Sequence, residues 1–136
     1  MVGLDEKSAI WLLNSKSMGI VLDNIAIHNI RDEGLHFRKS SSKNILRNCH
    51  VYKTGQLKPG FAEAVYVGTH ADNRLTDNSD NNRIGECLFE PGITAEAIDI
   101  KAGTINTILE HNTMNGAGIS GVNYVGSFID MKGDEV

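Results

Sequence analysis

Carboxylates and amines return at matched positions along this chain. Glu33-Gly34-Leu35-His36-Phe37-Arg38, Glu63-Ala64-Val65-Tyr66-Val67-Gly68 and Glu96-Ala97-Ile98-Asp99-Ile100-Lys101 each open on an acid. Ser127-Phe128-Ile129-Asp130-Met131-Lys132 repeats the pattern with Ser in the acid's place. Strands laid side by side, about 4.8 Å apart, would turn these positions into columns. Glu33, Glu63 and Glu96 make one column, and His36, Tyr66, Asp99 and Asp130 a second. Arg38, Lys101 and Lys132 make a third, interrupted by Gly68. Two unit charges at that spacing repel by roughly 3.5 kcal/mol at an effective dielectric of 20, before solvent reduces it. The acidic column must therefore be relieved by a raised pKa, by the basic column, or by a cation. Calcium takes several oxygen ligands, carboxylates among them, so Glu63, Glu96 and Asp99 are candidate metal ligands. Tyr66, His36, Arg38 and Asp130 are candidate ligand contacts, Tyr66 because an outward aromatic offers flat apolar area to a sugar ring. A purely structural reading also accounts for the columns. In it Glu63 and Glu96 cap turns, while Lys101 and Lys132 pair with Asp99 and Asp130 on a solvated face.

These positions depend on a repeat. Ser8-Ala9-Ile10-Trp11-Leu12-Leu13 joins the four segments above, and each places two apolar residues either side of one outward residue. Period-2 alternation over so short a stretch is a strand signal. The first inward residues fall at 10, 35, 65, 98 and 129, steps of 25, 30, 33 and 31. Recurrence at such intervals is the mark of a solenoid. A second pattern lies between: Leu46-Arg47-Asn48-Cys49-His50-Val51 matches Ile84-Gly85-Glu86-Cys87-Leu88-Phe89 and Leu109-Glu110-His111-Asn112-Thr113-Met114, with Ile25 to Ile30 less cleanly. Each coil thus has at least two strands. Asn24, Asn44, Asn82 and Asn106 stand where the second strand begins, where bent backbone suits Asn. The run from Asp77 to Asn82 reads as an exposed loop. The expected fold is all-β: a right-handed parallel β-helix of about four to five coils, as a single domain over residues 1–136. Amphipathic helices are missing from the intervals, which are rich in Gly, Asn and Thr. A β-sandwich would not return one motif at one phase.

Composition agrees. Aromatic residues are 6% of the chain and glycines number 14, which suits thin stacked layers with tight corners. The net charge of −4 argues against a nucleic-acid partner. No apolar run approaches a membrane span, and no secretory signal opens the chain.

The repeat resembles the pectate-lyase-like superfamily over most of the chain. Within it, Glu96-Ala97-Ile98-Asp99-Ile100-Lys101, followed by Asn106-Thr107-Ile108 and His111-Asn112-Thr113-Met114, looks like the lyase family of chondroitinase B and alginate lyases. That family carries a Glu-x-Ile-x-Val-Lys strand, then an Asn-x-Ile…Asn-Thr-Phe strand, then a strand ending in a catalytic Arg. The resemblance implies an acidic polysaccharide as partner and β-elimination of a uronate as the reaction. Lys101 would be the base and Glu96 a calcium ligand, and Lys132 falls where the family has its Arg. Lys cannot reproduce a planar bidentate grip on a carboxylate, and the family's Arg-His-Gly is replaced by Lys132-Gly133-Asp134. The rival expectation is a non-catalytic carbohydrate-binding or assembly module. Similarity to secreted β-helix proteins implies an extracellular location, with a cytoplasmic one still open.

Cys49 and Cys87 take equivalent positions on adjacent coils, with Asn112 next in the stack. A predicted Cα separation of about 5 Å permits a disulfide; two buried thiols filling a core slot are the alternative. Gly103, Gly116, Gly118 and Gly121 read as turn glycines, since no helix follows to make a phosphate loop. Trp11, on the first coil, is expected to cover the core or a partner. Solenoid ends need caps, and Met1 to Lys7 offers at most a thin cover. Two expectations follow: a fragment of a longer β-helix, or end-to-end association with another copy.

Overall fold

The computed structural model describes residues 10–12, 16–70 and 77–132, with the backbone alone for 10–12. The proposed cap at Met1 to Lys7, the Trp11 side chain and Gly133-Asp134 lie outside the described residues.

Among the described residues thirteen short strands build three parallel sheets. The first contains β1 (Ile10–Leu12), β4 (Leu35–Phe37), β7 (Val65–Val67), β10 (Ile98–Ile100) and β13 (Ile129–Met131). The second contains β2 (Val21–Asp23), β5 (Ile45–Arg47), β8 (Arg83–Gly85) and β11 (Ile108–Glu110). The third contains β3 (Ala26–His28), β6 (His50–Tyr52), β9 (Leu88–Phe89) and β12 (Thr113–Met114). Every strand pairs with its counterpart one coil away, so the chain is a parallel β-helix. The first sheet has the expected register: Leu35 pairs with Val65, Val65 with Ile98, and Ile98 with Ile129.

The second repeated pattern is two strands, not one. Asn24, Asn48, Glu86 and His111 all adopt positive φ, at 55°, 50°, 55° and 50°. Each turns the chain between the second and third sheets. Left-handed backbone is uncommon outside Gly and Asn, so Glu86 and His111 gave no warning of the corner. The residue after each is Ile25, Cys49, Cys87 or Asn112, and this rung points inward. Cys49 and Cys87 are joined there in a disulfide with Cα atoms 4.5 Å apart. Asn112 continues the rung, its side-chain oxygen accepting the Cys87 N–H at 3.0 Å.

Period-2 alternation fills the interior. Leu35, Phe37, Val65, Val67, Ile98 and Ile100 line the first sheet's inner face, and Leu46, Ile84, Val51 and Phe89 the others, all without exposure. Fully burying such side chains stabilises by about 1.5–3 kcal/mol each.

Two sequence expectations need correction. Asp77 to Asn82 is not an exposed loop: Asp77, Ser79 and Asn82 are buried, alternating with more open neighbours. Asp77 accepts the backbone N–H groups of Lys39 (2.9 Å) and Ser40 (3.0 Å), both left-handed residues, and the Ser79 hydroxyl. These bonds satisfy polar groups that burial would otherwise penalise. The four asparagines are also not one set. Asn44 and Asn82 stack as a buried ladder, the Asn82 side-chain oxygen accepting the Asn44 backbone and side-chain N–H groups. Asn24 belongs to the next corner, and Asn106 stacks on Asn81, one residue out of step.

Candidate functional site

The outer face of the first sheet carries all nine candidate residues. Its centre is set by β7 and β10, whose register places Tyr66 beside Asp99 and, three residues earlier, Glu63 beside Glu96. Glu63, Glu96 and Asp99 converge, with one oxygen from each lying within 4.8 Å of the others. Among the described residues this is the one cluster of such groups that could hold a metal ion. All three are buried, Asp99 to 2% exposure.

Such crowding has the electrostatic consequence anticipated above. Burial, reinforced by Asp99 and Glu96, pushes the Glu63 carboxyl up to about 8. Burial likewise raises Glu96, with Asp99 and Asp130 adding to it. Asp99 pairs with the Lys101 ammonium through one oxygen, while its Oδ1 is buried without a hydrogen-bond partner. A hard cation with oxygen ligands fits this set: three carboxylates, two of them reluctant to ionise alone, and an orphaned oxygen.

Lys101 lies where β10 ends, its Nζ 5.0 Å from the Tyr66 ring centroid, within cation–π range. Gly68 occupies the matching position one coil earlier, with φ of 92°, and a Cβ there would approach Thr104 Cγ2 to 2.7 Å and Lys101 Cβ to 3.2 Å. The gap in the basic column therefore fits a left-handed backbone packed against Thr104 and Lys101. Tyr66 is buried and its hydroxyl is raised far above the usual phenol range, mainly by burial and then by Asp99. His36 stands edge-on to Tyr66 at 4.4 Å. Its Nε2–H donates to the Gly68 carbonyl at 2.8 Å, and burial pushes its pKa down to about 4, so the ring is neutral. Asp130 and Lys132 form an exposed ion pair on the next coil. Burial pulls the Lys132 amine down, but Asp130, Asp99 and Glu96 outweigh it and hold it above the usual value.

The face is not flat. A hollow of about 320 Å³ is lined by Glu33, His36, Arg38, Phe61, Glu63, Tyr66, Thr69, His70, Lys101 and Asn123. A second, of about 370 Å³, is lined by Glu63, His70, Glu96, Asp99, Lys101, Asn123, Val125, Asp130 and Lys132. The two share Glu63, His70, Lys101 and Asn123, and together form an open groove across the coils. Sequence reasoning missed the walls, Phe61, His70, Asn123 and Val125. They sit on connections of unequal length, where no repeat fixes a register; the Pro59-Gly60 turn was the available signal beside Phe61. Another hollow, on the second sheet, is lined by Arg47 and Arg83, which already pair with Asp23 and Glu110.

The family model described as "Right handed beta helix region" matches residues 5–132, and the chain belongs to that family. The pectate-lyase-like superfamily expected from the repeat is thereby borne out. Among solved structures, the alginate lyase from Paenibacillus sp. str. FPU-7 is similar, with 47% identity and a TM-score of 0.81. The match covers 85% of this chain and 39% of that one, so the chain corresponds to well under half of that lyase. No curated protein matches. Among the described residues no helix is long and apolar enough to cross a membrane.

Proposed function

We propose that this β-helix is a polysaccharide lyase acting on a uronate-containing glycan by β-elimination. The carrying observation is the convergence of Glu63, Glu96 and Asp99 beside Lys101 in an open groove. Likeness to an alginate lyase supports an acidic polysaccharide as substrate and alginate as the first to try.

Elimination needs three things: relief of the uronate's negative charge, a base at the carbon α to its carboxylate, and a proton for the departing oxygen. Glu63, Glu96 and Asp99 would hold calcium, which would neutralise the carboxylate and acidify the α-proton. Lys101, once it leaves Asp99 and gives its ammonium proton to solvent, is a neutral amine whose Nζ takes the α-proton as the C4–O bond breaks and the C4–C5 double bond forms. Lys132, held as a cation beside Asp130, gives the departing O4 its proton. Arg38, His36, Tyr66 and Asp130 contact the sugar along the groove. The test is incubation with alginate, pectate and chondroitin sulfate, with calcium or chelator, followed by unsaturated-uronate absorbance. A rise on one of them supports the reading, and none on any contradicts it.

The Lys101–Asp99 pair favours a second reading, in which the same groove binds acidic glycan without cleaving it. An extracellular location is proposed for either, because disulfides such as Cys49–Cys87 persist in oxidising compartments.

The carboxylate trio yields a prediction independent of turnover. An acid whose folded pKa exceeds its unfolded value binds more protons when folded between those values. Without metal, the stability that Glu63 contributes should therefore fall as pH rises from about 4.5 towards 8, while His36, held below its ordinary 6.5, works the other way up to that value, so the net fall is expected between about 6.5 and 8. Calcium should raise the melting temperature, and more so at higher pH, since it needs the ionised carboxylates. Glu63→Gln should remove most of both effects. A melting temperature at pH 8 indifferent to calcium would sink the metal assignment.

Association through the end coils is proposed as well. Phe128 and Met131 are 45% and 58% exposed at β13, an edge strand among the described residues. Sedimentation velocity should show self-association that Met131→Lys weakens; a monomer at all concentrations contradicts it.

A further inference from the structure

The connection from Lys53 to Ala62 does more than link two coils. Lys58-Pro59-Gly60-Phe61 is a tight turn closed by the Phe61 N–H on the Lys58 carbonyl at 3.1 Å. Proline stands second and Gly60, with φ of 87°, third, the arrangement of a type II turn. The turn is pinned on two sides. Leu57 N–H donates to the Arg31 carbonyl at 3.0 Å. The Asn123 amide donates to the Gly60 carbonyl at 3.2 Å, and a Cβ at Gly60 would come within 2.7 Å of the Val122 carbonyl oxygen. Phe61 is nevertheless 53% exposed. Leu57 on the same connection is 51% exposed, so the braced turn presents two apolar side chains together, and contiguous exposed apolar surface is the kind that marks binding.

Phe61 lines two hollows at once. One contains Lys101 and Tyr66. The other, of about 200 Å³, lies beyond the turn and is lined by Arg31, Asp32, Leu57, Lys58 and Phe61. Phe61 is thus the wall shared by the groove and a hollow that sets two cations against one carboxylate. A uronate ring presents an apolar face of C–H bonds and a carboxylate at its edge. Phe61 matches the face and the Arg31 guanidinium and Lys58 ammonium match the edge.

We propose that this hollow is a second binding site for another uronate ring of the polysaccharide engaged at Lys101, stacked on Phe61 with its carboxylate towards Arg31 and Lys58. The inference rests on the lyase reading for its substrate class. It makes Phe61 a determinant of preferred chain length rather than a group acting on the reacting bond.

Initial rates on alginate oligosaccharides of increasing length provide the test. Phe61→Ala should raise KM for long oligosaccharides about fivefold more than for the shortest cleaved one, the scale of one lost stacking contact. Phe61→Tyr should restore the length preference. Arg31→Ala combined with Lys58→Ala should flatten the dependence of KM on salt for long chains. Equal KM changes at all lengths, or none, overturn the site. Calorimetry with a long alginate oligosaccharide separates this inference from the lyase reading. Binding weakened by Phe61→Ala in a protein that cleaves nothing supports the site while the lyase reading fails; binding indifferent to Phe61 overturns the site whether or not the protein cleaves.

Discussion

Replacing Lys101 with arginine is expected to lower lyase turnover by about 10²–10⁴, the range for loss of a positioned proton acceptor, while the protein stays folded. Arginine keeps the positive charge facing Asp99 and Tyr66, but it stays protonated at any working pH and cannot accept the α-proton. The choice of arginine matters. Lys101 and Asp99 are a nearly buried pair, their side chains 15% and 2% exposed. A neutral replacement would strand the Asp99 charge, and breaking such a pair costs about 3–5 kcal/mol. Loss of activity in Lys101→Ala would therefore not separate chemistry from misfolding. Lys101→Arg does: melting temperature and affinity for a long oligosaccharide should hold while kcat collapses. Should Lys101→Arg retain full activity, the pair with Asp99 is structural and another group is the base.

The second large effect lies in the frame. Cys49 and Cys87 are 38 residues apart in sequence and tie consecutive coils at the corner between the second and third sheets. The closed loop includes Glu63 and β7, which carries Tyr66, at one wall of the groove. Chain-entropy reasoning assigns such a crosslink roughly 4 kcal/mol, which for a domain of this size is on the order of 10 °C in melting temperature. Cys49→Ser with Cys87→Ser should show that drop in a thermal melt, and reduction of the parent protein should reproduce it. An unchanged melting temperature after reduction would mean that the coils are held by packing alone. Thiols titrating in the unreduced, unfolded protein would show the pair to be unbonded.

Most of the fold was legible because a β-helix repeats. The alternation in Val65-Tyr66-Val67 and Ile98-Asp99-Ile100 fixes which side chains point outward. The return of Glu33, Glu63 and Glu96 two positions before their strands, with Ser8 and Ser127 in that place on the other two, supports the register. That sets Asp99 and Lys101 outward and the glutamates in a column of their own, although not the convergence of Glu63 and Glu96 with Asp99. What stayed hidden has physical reasons. The third sheet was concealed because its corner falls on Glu86 and His111, residues that do not ordinarily signal left-handed backbone. Burial of Asp77, Ser79 and Asn82 was concealed because hydropathy records side-chain polarity, not whether a backbone N–H waits to receive it. Phe61 and Asn123 were missed as groove walls because the loops that carry them differ from coil to coil. His36 read as an outward histidine; its neutrality follows from burial, which outweighs the opposing bond to the Gly68 carbonyl on the next coil.

In the proposed reading a cation and the Lys101 amine would divide the site. Burial, with Asp99 adding to it, holds the Glu63 and Glu96 carboxyls above their usual range, and Lys101 pairs with Asp99. A cation in the trio would relieve both constraints at once, so calcium dependence and Lys101 dependence should appear together.

Mass spectrometry of alginate digested by the protein in the presence of calcium tests the central claim most directly. β-Elimination leaves an unsaturated residue at the new non-reducing end, so each such product is lighter by one water than its hydrolytic counterpart. The account expects those unsaturated oligosaccharides from the parent protein, and their loss in Lys101→Arg and on chelation. Saturated ends, or polymer left intact at every pH with calcium present, would contradict it.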